Sequence, residues 1–81
     1  MKVIILETTE ERARALGCLL VSFGMEGIPL TSKNDAMERL ENDPETGMAI
    51  IDIDNAKTEG SEFIREARAV KQPREFKIIV H

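Results

Sequence analysis

The stretch Met48–Asp54, MAIIDID, constrains the fold of this 81-residue chain more than any other. It is an apolar run without polar alternation that ends in two carboxylates, and the turn signal Glu59-Gly60 follows eight residues after Asp52. Short Ile-rich runs closed in this way read as buried parallel strands, whose carboxyl ends open onto the crevice where α/β proteins place ligands. A second run of the same kind, Lys2–Leu6, ends in Glu7. Two neighbouring strands would then deliver carboxylates to one edge of a sheet, where their mutual repulsion calls for a cation.

The segments between and after these runs complete the pattern. Thr8, Thr9, Glu10 and Glu11 form a capping box with Thr8 as the cap, opening a helix whose stripe is Ala13, Leu16, Leu20 and Phe23, widened by Leu19. Gly24 suits the left-handed position after a helix. Met25–Leu30 contains Pro29, which cannot donate to a ladder, so this second strand belongs at a sheet edge. Ser32–Asp35 caps a second helix bearing Ala36, Met37 and Leu40, and Asn42, Asp43 and Pro44 stop it. The third strand runs from Met48 to Ile53. Ser61 is the expected cap of a third helix with Phe63, Ile64, Ala67 and Val70 on its buried face, followed by a fourth strand over Phe76–Val80.

The order β-α-β-α-β-α-β with short loops predicts a single α/β domain over residues 1–81, a parallel sheet wound by right-handed crossovers. A chain this short buries only roughly 60% of its unfolded surface. No helix follows the fourth strand, so Ile78, Ile79 and Val80 would lie on an open edge and offer an interface, with a homodimer as the expected assembly. The formal net charge of −4, with both signs interspersed, argues against nucleic acid as a partner, and no segment approaches a membrane span of about 20 apolar residues. The start of the chain lacks the layout of a secretory signal, and the expected location is cytoplasmic. Cys18 and the methionines Met25, Met37 and Met48 read as core filler, and Glu62 is placed to pair with Arg65 along the third helix.

The arrangement resembles the first two-thirds of the receiver domain of two-component response regulators. That family combines acids after strand 1, a phosphoaccepting Asp after strand 3 and a loop ending in Asp-Gly. Glu7, Asp52 and Glu59-Gly60 occupy those positions, with 45 residues from Glu7 to Asp52 and eight from Asp52 to Gly60. The resemblance implies a three-layer, truncated flavodoxin-like sheet of order 2-1-3-4, Asp52 as phosphoacceptor and Mg²⁺ held by Glu7, Asp52 and Asp54. It also implies His81 at the switch position usually held by Thr or Ser, and a histidine kinase or another signalling protein as partner. Thr8 stands in place of the family's second acid and Ala56 in place of its loop Pro, so the implied Mg²⁺ site is weak.

The implied role is therefore a receiver-like interaction module in signalling, not an enzyme and without catalytic residues of its own. The alternative is the N-terminal part of a functional phosphoaccepting receiver. A further alternative comes from Asp52-Ile53-Asp54, which looks like the Asp-x-Asp motif of haloacid-dehalogenase-type phosphatases, with Asp52 as nucleophile and Asp54 as acid. Ala56 and the lack of a later acidic pair count against it, and a motif without its context is weak.

Overall fold

A computed structural model describes residues 1–7, 9–52 and 59–80. Its elements are β1 (Lys2–Leu6), α1 (Glu10–Ser22), β2 (Glu26–Leu30), α2 (Lys33–Asn42), β3 (Thr46–Ile51), α3 (Gly60–Val70) and β4 (Lys77–Val80). The four strands form one parallel sheet in the order β2-β1-β3-β4, the winding expected from the sequence. Pro29 sits on the edge strand β2 opposite Ile5, where its missing N–H costs the ladder least.

Strand alternation divides the core in two. Ile4, Leu6, Ala49 and Ile51 face one side, where they pack with Ala36 and Leu40 of α2 and with Phe63 and Ala67 of α3. Phe76, just before β4, closes this layer edge-on against Phe63, with ring centroids 6.3 Å apart. Arg68 Nη1 donates to the Phe76 carbonyl oxygen at 2.6 Å and so ties α3 to the entry of β4. Burying each of the large side chains here is worth about 1.5–3 kcal/mol. Val3 and Ile5 face the other side and pack against Ala13 and Leu20 of α1, flanked by Met48 and Ile50. Helix α1 lies against β2 and β1, and Gly27 lets the backbone of β2 approach the helix at Gly17. A Cβ on Gly27 would stand 3.2 Å from the Gly17 Cα and 2.7 Å from Ile5 Cδ1.

Several local expectations are corrected. The cap of α1 is Thr9, one residue later than expected, and its side chain makes no capping bond. Ser61 lies inside α3, whose cap is Glu59. Strand β3 starts two residues early, at Thr46, because a register shift between Lys2 and Val3 accommodates an extra residue at Gly47. It ends at Ile51, and Ile53 lies outside the described residues. Cys18 is exposed, not core, and Leu19 and Phe23 are 55% and 69% exposed. The stripe that reaches the sheet is the narrower set Ala13, Leu16, Gly17 and Leu20, spaced i, i+3, i+4, i+7, and Cys18 and Leu19 turn away from it. Phe23 follows the last helical residue as the C-cap. Val70, the last residue of α3, is exposed as well.

Other readings agree with the structure. Ser32 caps α2, its hydroxyl accepting from the Asp35 N–H at 3.2 Å. Gly24 has φ +77°, and β4 forms the second edge of the sheet. Met25, Met37 and Met48 are partly buried against the two cores. No helix among the described residues is long and apolar enough to cross a membrane.

Candidate functional site

Leu6 and Ile51 are register partners, so the residues that follow them, Glu7 and Asp52, leave two adjacent central strands at the same edge of the sheet. The ladder continues by one rung: the Asp52 N–H donates to the Leu6 carbonyl oxygen at 3.0 Å. Alternation along β1 and β3 carries Glu7 and Asp52 to the α1 side, with Val3, Ile5 and Ile50. Glu7 is only 2% exposed, while Asp52 is half-buried. Carboxylates that leave adjacent strands at one edge of a sheet are of the type that could serve as ligands for a hard cation.

The loop after Asp52 returns to the described structure at Glu59, which has φ +53° and ψ +38°. The left-handed conformation expected of a Glu-Gly turn thus falls on the Glu, while Gly60 is buried as the first residue of α3. A non-glycine residue held there costs about 1–2 kcal/mol. The Phe63 N–H donates to the Glu59 carbonyl oxygen at 2.9 Å, closing the first turn of α3.

Helix α2 begins at this same end of the sheet, where Lys33 Nζ lies 2.7 Å from Glu66 Oε2 and 3.2 Å from Glu62 Oε2 on α3. Glu62 therefore pairs across to α2, with Arg65 acting on it through space. Lys33 is held protonated to higher pH than usual by hydrogen bonds to Glu66 and then Glu62. Its charge serves the contact between the two helices. The opposite edge of the sheet carries a second ionic group, in which Lys2 Nζ lies 3.0 Å from Asp43 Oδ2 and 3.3 Å from Glu45 Oε2, while Arg39 Nη1 reaches Asp43 at 3.3 Å. The two Lys2 pairs join residues 41 and 43 positions apart, and no local sequence signal marks them.

Of the residues singled out from the sequence, Glu7 and Asp52 come together, whereas Thr8, Asp54, Ala56 and His81 lie outside the described residues. Among the described residues, no three potential metal-ligating side chains cluster. Ile78 is partly buried against the α2/α3 core, while Ile79 and Val80 are 48% and 46% exposed on the edge strand. Comparison of the chain with protein-family models, with curated proteins and with solved structures found no match.

Proposed function

We propose that this chain is a receiver-like interaction module of two-component-type signalling, acting in the cytoplasm by binding other proteins. The observation that carries the reading is the placement of Glu7 and Asp52 side by side, one position beyond the Leu6–Ile51 pair, at the carboxyl ends of β1 and β3, the two central strands. That is where a parallel α/β sheet offers its ligand crevice. Its partner is a histidine kinase or another signalling protein, and Asp52 is the residue that would accept a phosphoryl group.

Chemistry at this edge is limited by charge. Phosphoryl transfer to a carboxylate brings anionic oxygens together, and the barrier falls only if cations neutralise the developing charge. Mg²⁺ demands near-octahedral oxygen ligands and gives up water reluctantly, so two carboxylates with few further ligands hold it weakly. The reading is thus a module with a thin cation site, in which binding outweighs phosphotransfer.

A Mg²⁺ titration followed by amide NMR tests it. The expected result is saturable shifts centred on Glu7 and Asp52 with a dissociation constant on the order of 10⁻³ M or weaker, abolished in Glu7→Gln. No localised shift, even at tens of millimolar Mg²⁺, would overturn the reading.

A further inference from the structure

Strand β4 is a sheet edge whose exposed residues have a definite parity. Ile78 packs into the α2/α3 core, so its register partner Ala49 and the next residue of the same parity, Val80, lie on that face. Ile79, opposite Ile50, lies on the α1 face with Lys77, which stands opposite Met48. Because α1 sits over β2 and β1, Met48 and Ile50 are only partly buried at the margin of its core, and with the exposed Ile79 they form an apolar strip on that face. Among the described residues, no strand pairs with the outer side of β4.

The charges at the two ends of this edge differ. At the start of β4, Arg74 and Lys77 are exposed. Across its far end, one rung beyond the Ile51–Val80 pair, stands Asp52, with Glu7 beside it on the next strand. An antiparallel neighbour reverses these ends and sets basic against acidic.

We propose that a second copy of this chain pairs with β4 about a two-fold axis normal to the sheet, with Ile79 opposite Ile79, and that each copy's Lys77 thereby adds a cation beside the carboxylate edge of the other. Residues directly opposite in such a pair share a face, so a two-fold ladder joins positions of equal parity. The register that overlaps all three apolar residues sets Ile78 against the partner copy's Val80 and Ile79 against its own counterpart. Lys77 then falls one rung beyond the other copy's Val80, level with that copy's Asp52 and on the same face. Two strand spacings, about 9.6 Å, separate their backbones, a gap that the four-carbon stem of Lys and the arm of Asp span together. The contact is isologous, so one interface satisfies both open edges and supplies two cations. The role given to Lys77 rests on the carboxylate-edge reading above; the strand pairing does not.

Register-specific disulfide trapping tests the pairing in the full chain with Cys18→Ser. Ile79→Cys is expected to oxidise to a linked dimer, whereas Ile78→Cys, whose partner is Val80, should stay largely unlinked. Equal linking of both, or a folded monomer at high micromolar concentration by sedimentation equilibrium, would overturn the pairing. Lys77→Glu should weaken the dimer by about fivefold, since two equivalent exposed pairs are lost, and adding Asp52→Lys should restore it. Unchanged association of Lys77→Glu would overturn the role of Lys77. A chain that shows no Mg²⁺ response yet links through Ile79→Cys would sink the carboxylate reading and leave the pairing standing.

Discussion

The Asp52 N–H donates to the Leu6 carbonyl oxygen at 3.0 Å, and this bond holds the first residue beyond β3 on the rung beside Glu7. It depends on the Leu6–Ile51 register, which in turn depends on the bulge at Gly47 absorbing one residue near the start of β3. A one-residue slip would turn Asp52 to the other face, so the carboxylate pair reports directly on how this sheet is assembled.

Two glycines should respond oppositely to the same change. Gly17 is helical and a Cβ there meets nothing within 4 Å, so Gly17→Ala should raise stability by about 0.5–1 kcal/mol. Gly27→Ala drives a methyl against Ile5, Leu20 and the Gly17 backbone and should cost about 1–3 kcal/mol. Urea unfolding of both variants checks the pair. Equal effects would mean that α1 does not approach β2 as described.

Glu59 carries the left-handed turn at the cap of α3. Glu59→Gly relieves the Cβ clash while adding backbone entropy to the unfolded chain, for a net gain of about 0.5–1 kcal/mol. A rise in the thermal midpoint is the expected readout, and a fall would show that the Glu side chain matters more than its backbone strain.

The ion pairs among Lys2, Arg39, Asp43 and Glu45 predict how stability follows pH. The Lys2 ammonium, then the Glu45 N–H and Arg39, hold Asp43 below its ordinary range. Its contribution is fully present above the unfolded value of about 3.9 and is lost as pH falls through the lower folded value. Lys2 is raised, by Asp43 first and then Glu45, so its contribution is full below about 10.4 and fades as pH climbs through the higher folded value. Urea midpoints of Lys2→Met should therefore fall less than those of the parent on both the acid and alkaline limbs. Parallel curves would contradict the assignment.

Much of this architecture was legible because its signals are local. Strand runs of Ile and Val, the Ser32 cap, Gly24 after α1 and Pro29 on an edge each express a backbone requirement within a few residues. What escaped depends on distant partners. Cys18 and Leu19 are exposed because the Gly17–Gly27 approach draws α1 over β2 and narrows the stripe that reaches the sheet, and neither glycine declares the other in sequence. The extension of β3 to Thr46 follows from a bulge opposite β1, and the Lys33 pairs from how α2 and α3 lie side by side. For the candidate site, the run ending at Asp52 and the run ending at Glu7 marked two strand ends, and their adjacency follows from the winding order.

The most direct test of the thin-site account is intact-mass analysis of the chain after incubation with acetyl phosphate and Mg²⁺. The account predicts slow, substoichiometric phosphorylation or none, because Glu7 and Asp52 hold Mg²⁺ too weakly for it to neutralise the charge that develops around Asp52. Rapid, stoichiometric addition of one phosphoryl group, absent in Asp52→Asn, would contradict it.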